Sequence, residues 1–216
     1  AIVGVIVNSF KGVNTTSGVN TKELGSSNPK YVSLFQVQLG LLASAKDLQK
    51  DLRGIASSSE TSTSKGLQRV LQDTTLALLR QPDLWVYANI ESGKIPFSAA
   101  ESTFNRISIA ERSKLQSEIT TNIYGEINQY KSSEDISGDA DLTNEFIVVT
   151  IILASRRNIN ILEANTLEEV KDRIKTIGST SSTDLMALEV IWQPEGKGDV
   201  ITSEELVTSY PALKHL

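Results

Sequence analysis

"EFIVVTIILAS", residues 145–155, is the stretch on which the fold turns. From Phe146 to Ala154 the only polar side chain is Thr150. A strand that meets water on one face alternates apolar and polar residues. This one has no polar face, so it reads as a central strand covered on both sides, the most buried of its sheet.

The neighbouring strands follow from alternation. In "YVSLFQVQLGLLASA" Phe35, Val37, Leu39 and Leu41 share one face while Gln36 and Gln38 share the other, a half-buried strand over 32–42. "LWVYANIES" gives a strand over 84–91, and Gly93 to Pro96 reads as a turn after it. "DLMALEVIWQ" gives a strand over 185–193, with Met186, Leu188, Val190 and Trp192 on one side and Glu189 and Gln193 on the other.

Helical spacing fills the gaps. Leu48, Leu52 and Ile55 form one stripe; Leu67, Val70, Leu71, Thr74 and Leu78 form another, widened by Leu76 and Leu79 and stopped at Gln81-Pro82. Ser98 with Glu101, and Ser108 with Glu111, match capping boxes, so residues 98–130 read as a short helix and then a long one, with Ile109, Leu115, Ile119 and Ile123 facing the core. "KSSEDISGDADLTN" reads as an acidic loop and "NINIL" as a short strand. Thr166 with Glu169 opens a helix that buries Leu167, Val170, Ile174 and Ile177 and stops at Gly178; Thr202 with Glu205 opens a last one that ends before Pro211. The sum is an α+β domain: a single four- to five-stranded sheet, mixed or antiparallel, with helices packed mainly on one face. The order of the strands is left open.

Composition narrows the chemistry. The 216 residues are 39% apolar and 22% charged, as befits a domain with a real core, and the net charge is −5. Arg156-Arg157 is the one adjacent basic pair, too little for a nucleic-acid face. With no cysteine and one histidine, His215 beside the C-terminus, neither a zinc site nor a histidine-based triad is expected; His215 reads as an exposed tail residue. "DADLTNE" has Asp139, Asp141, Thr143 and Glu145 at alternate positions, but Asn144 stands where a calcium loop needs glycine. "EGKGDV" is explained by a turn, Glu168-Glu169 and Glu204-Glu205 by first turns of helices, and Trp85 and Trp192 as core aromatics. Asn14-Thr15-Thr16 matches the glycosylation sequon, with nothing else suggesting secretion. No catalytic residue, cofactor or metal ligand is assigned.

The N-terminus divides in two. Residues 14–30, "NTTSGVNTKELGSSNPK", lack apolar periodicity and read as a flexible linker, which places the domain at 31–216. Residues 1–13 begin with seven apolar residues, too short a run to cross a bilayer, which takes about 20.

Five segments carry a family resemblance: "LGLLASAKDLQKDLRGIA", "LQDTTLALLRQPDLWVYANIES", "FNRISIAERSK", "FIVVTIILASR" and "LEVIWQPEGKGDVITSEELVTSYPAL". Together they resemble the domain of unknown function 1517 family of cyanobacteria and plastids, which includes the plant fluctuating-light acclimation protein. The resemblance implies an N-terminal hydrophobic span before the domain. Residues 1–13 then look like its trailing remnant, with Ile2, Val3, Val5, Ile6, Val7 and Phe10 next to the membrane. It also implies a non-enzymatic, membrane-tethered regulatory or protein-interaction domain at the thylakoid or another photosynthetic membrane. The domain itself would lie in cytoplasm or stroma, with a protein partner and no nucleic acid. The alternative is a small-molecule-binding domain, or an enzyme, with a cleft at the sheet edge.

Deleting Ala1–Lys11 is expected to leave the melting temperature within a few degrees, as read by calorimetry. A collapse would make the segment part of the core, because buried apolar side chains contribute ~1.5–3 kcal/mol each.

Overall fold

The computed structural model describes residues 29–124, 145–159, 163–194 and 199–216. Strands β1 (Tyr31–Leu42), β2 (Trp85–Pro96), β3 (Glu145–Ser155), β4 (Leu185–Gln193), β5 (Ile201–Thr202) and β6 (Lys214–His215) form one sheet. Its order is β4-β3-β1-β2-β6, with β5 paired to β3, and every pairing is antiparallel. The helices are α1 (Lys46–Ser58), α2 (Ser64–Leu79), α3 (Phe97–Tyr124), α4 (Leu167–Gly178) and α5 (Ser203–Ser209). This is the expected α+β class on an antiparallel sheet, but with six strands among the described residues rather than four or five, and with helices on both faces rather than mainly on one.

β3 is the inner strand that its sequence demanded. It pairs with β1 on one side and with β4 and β5 on the other, and every residue from Phe146 to Ser155 is buried. Its alternate side chains enter different cores. Ile147, Val149, Ile151 and Leu153 join Phe35, Val37, Leu39 and Leu41 beneath α1, α2 and α4. On the other face Ile152 and Ala154 pack with Ala100 and Phe104 of α3, and Phe146 and Val148 pack with Leu206 of α5 and with Tyr210.

Several expectations are corrected. β2 does not turn at Gly93 but runs to Pro96, because β1 offers ladder partners the whole way, Leu34 opposite Gly93 and Tyr31 opposite Pro96. Met186 does not share a face with Leu188: a bulge opposite Ala154–Ser155 shifts the register and moves Met186 into the α3 core. Residues 97–124 form one helix rather than two, and Ile109, expected inward, is 66% exposed. The side chains of Leu115, Ile119 and Ile123 lie outside the description, as do the linker up to Asn28, the acidic loop and most of Asn158–Leu162. His215 is exposed but not loose, since β6 pairs it with Tyr87, whose ring meets it edge-on at 5.4 Å.

The boxes at Thr166–Glu169 and Thr202–Glu205 cap α4 and α5 as expected. Gly178 ends α4 for a packing reason: a Cβ there would lie 2.5 Å from the Thr75 hydroxyl oxygen, so the glycine lets α4 close onto α2.

Trp85 and Trp192 sit in the core as expected. Beside Trp192 a cavity of about 10 Å³ is lined by Leu52, Ile55, Val70, Thr74 and Val190. The Thr74 hydroxyl and the Trp192 Nε1 are buried without partners. An unpaired buried hydroxyl costs about 1–3 kcal/mol relative to a paired one. Thr74→Val keeps the shape and removes that polar atom, so it is expected to raise stability by about 1 kcal/mol in urea unfolding.

Candidate functional site

The chemistry-bearing side chains gather where α3 crosses the second face of the sheet. The first turns of α3 are held by apolar contact through Ala100 and Phe104. The same inward stripe continues through Ser108 and Glu111, both buried, and thus turns polar. The strands below match it. Gln36 and Gln38 of β1 point to this face, with Asn89 of β2 opposite Gln38 on one side and Thr150 of β3 on the other.

Glu111 is the hub. Its Oε1 accepts from Gln36 Nε2 at 2.8 Å and from Lys114 Nζ at 2.8 Å. Its Oε2 accepts from Gln38 Nε2 at 3.0 Å and from Thr150 Oγ1 at 3.4 Å. Asn89 Nδ2 extends the network by donating to Gln38 Oε1 at 3.2 Å and to Glu91 Oε1 at 3.1 Å. Lys114 also stands 4.3 Å from the centre of the Tyr210 ring, and the Tyr210 hydroxyl donates to Gln193 Oε1.

A second carboxylate lies on β4. Glu189 is fully buried and pairs with Arg112, whose Nε and Nη2 reach the same oxygen at 2.6 and 2.5 Å. Its other oxygen, Oε2, has no partner. Helix and sheet are thus fastened by buried carboxyl groups and their donors, contacts that a low-polarity interior makes costly to break.

This arrangement fastens the helix to the sheet. Glu111 accepts from donors on three elements, α3, β1 and β3, which hold its carboxylate in one place. The cavity that lies against edge strand β4, at about 10 Å³, has room for about one water. A larger and polar one, about 230 Å³, lies at the opposite end of α4 from its cap, lined by Arg157, Asn158, Ile159, Thr176, Ser179 and Thr180. Among the described residues no group of three or more His, Asp or Glu could hold a metal ion, and no helix is long and apolar enough to cross a membrane. The membrane-proximal set Ile2 to Phe10 and the residues of "DADLTN" lie outside the described residues.

Sequence reasoning placed Glu189 and Gln193 on the face away from Trp192 but did not unite them with α3. It read Glu111 as a cap for Ser108. The available signal was the spacing Ala100, Phe104, Ser108, Glu111, one unbroken stripe that a helix start at Ser108 would have cut.

The class is therefore an α+β domain on an open antiparallel sheet, with a helix locked across it by buried carboxylates. The chain belongs to the family described as protein of unknown function (DUF1517), whose model matches residues 31–216. It is 39% identical over 219 residues to "Protein FLAP1 homolog A" of Synechocystis, covering 99% of this chain and 66% of that protein. It is 36% identical over 192 residues to "FLUCTUATING-LIGHT-ACCLIMATION protein 1, chloroplastic" of Arabidopsis thaliana, covering 88% of this chain and 48% of that protein. The chain thus spans about two thirds and about half of these relatives. No solved structure gives a significant match.

Arg112→Met would leave the buried Glu189 carboxylate without its cation. The expected cost is about 3 kcal/mol in urea unfolding, and adding Glu189→Leu should recover most of it. Additive losses in the double variant would mean that the pair does not act as a unit.

Proposed function

We propose that the protein is a regulatory domain of photosynthetic light acclimation, tethered to a photosynthetic membrane and acting by docking onto a partner protein rather than by catalysis. The observation that carries this reading is the 36% identity, over 88% of the chain, to a chloroplastic protein named for acclimation to fluctuating light. The site agrees with it. Its carboxylates are engaged in holding α3 to the sheet, and the outer faces of α3 and α5 leave Ile109 and Val207 exposed at 66% and 70%, apolar contacts that a partner could bury.

Cells that lack the full-length protein are expected to lag behind their parent under fluctuating light and to match it under constant light. The full-length protein should stay with the photosynthetic membranes after a carbonate wash, and crosslinking there should join its domain to a reproducible protein neighbour. Equal performance in both light regimes would overturn the acclimation role, and release by carbonate would overturn the tether.

A further inference from the structure

The strand register gathers unpaired cations at one end of the sheet. Ser33 lies opposite Lys94 on β2 and opposite Ser155 on β3. Lys30 precedes β1, and Arg156-Arg157 follow β3, so Lys30, Lys94, Arg156 and Arg157 all come to this end. None of them has an ion-pair partner among the described residues. Tyr31 stands between two of them, 39% exposed, with Lys30 Nζ 5.5 Å and Lys94 Nζ 5.0 Å from its ring centre. Among the described residues the carboxylates at this end are fewer: Asp184, engaged by the Ser181 hydroxyl, and Glu101 in the first turns of α3. The polar cavity beside Arg157 leaves that guanidinium reachable. The far end of the sheet is mixed in sign, with Asp83, Glu145, Glu204 and Glu205 beside Arg80, the start of α1 at Lys46, and Lys114, which pairs with Glu111.

The location matters as much as the charge. Whatever precedes Lys30 joins the domain at this end, because α3 and β1 meet there through the Phe97 N–H and the Lys30 carbonyl at 3.2 Å. A tether entering here would turn this end toward the membrane. The geometry points to the Lys30–Tyr31–Lys94–Arg156–Arg157 end as a docking face for the anionic lipid headgroups of a bilayer surface. Basic side chains would meet lipid phosphates, and Tyr31 would supply the amphipathic ring that favours the headgroup level. The orientation rests on the tethered reading above; the charge-dependent binding does not.

The test is flotation of the 216-residue chain lacking Ala1–Lys11, the segment that could itself bind lipid, with vesicles of phosphatidylglycerol and phosphatidylcholine, against vesicles of phosphatidylcholine alone. Binding is expected to the anionic vesicles and to vanish near 1 M salt, where the Debye length falls to about 3 Å. Each of Lys30→Gln, Lys94→Gln, Arg156→Gln and Arg157→Gln should weaken it about fivefold, and the four together by about two to three orders of magnitude. Arg80→Gln, at the far end, should leave it unchanged. Circular dichroism and melting should match the parent, since the altered side chains are exposed or half-exposed.

Equal binding to phosphatidylcholine alone, or binding indifferent to the four substitutions, would overturn the proposal and leave the tether standing. Displacement by millimolar glycerol phosphate would also overturn it, by showing a discrete phosphate site in place of a surface contact. Absence of the full-length protein from native membranes would instead defeat the tether, while the charge dependence on vesicles would survive.

Discussion

A strand that is apolar on both faces has to be covered on both faces, and β3 imposes that condition on the whole domain. It cannot lie at the margin of the sheet, so β1 flanks it on one side and β4 on the other. Neither of its faces can meet water, so helices are needed above and below. α1, α2 and α4 supply one cover and α3 with α5 the other. The lengths of the other elements follow from it too. β2 continues past its glycine because β1, drawn out along β3, remains beside it.

The two covers differ in kind. Beneath α1, α2 and α4 the contact is mainly apolar, non-directional and tolerant of small shifts. Beneath α3 it is apolar only at the first turns. Glu111 and Arg112 then fix the helix by directional bonds to β1, β3 and β4. A hydrogen-bonded ion pair accepts one register and rejects its neighbours, whereas a leucine stripe accepts several. The polar interior of α3 thus specifies where a long helix sits on the sheet, at the cost of burying charge.

The same antiparallel register gathers cations at one end of the sheet. Residues far apart in sequence, Lys30, Lys94 and Arg156, arrive at one end because each borders a strand end in the ladder. The gathering of these cations is thus a product of topology, invisible in a net charge of −5. It also ties the place where the chain enters the domain to the place where its cations face outward.

Local pattern determined much of this protein. The unbroken apolar run at Phe146–Ala154, the alternation at Phe35–Leu41 and the paired residues Thr166–Glu169 and Thr202–Glu205 each fix an element through interactions within a few residues. Strands, most helices and the α+β class were legible for that reason, and so was the family, through segments spread along the chain. Tertiary structure decided the rest. The bulge that turns Met186 over depends on the spacing of β3 beside it. Ile109 faces water because Phe104 and Glu111 set the rotation of α3, and Glu111 is a hub only because Gln36, Gln38 and Thr150 lie beneath it. A capping box is written in four consecutive residues. A buried carboxylate is written in its partners, and these come from strands that only the folded sheet makes adjacent.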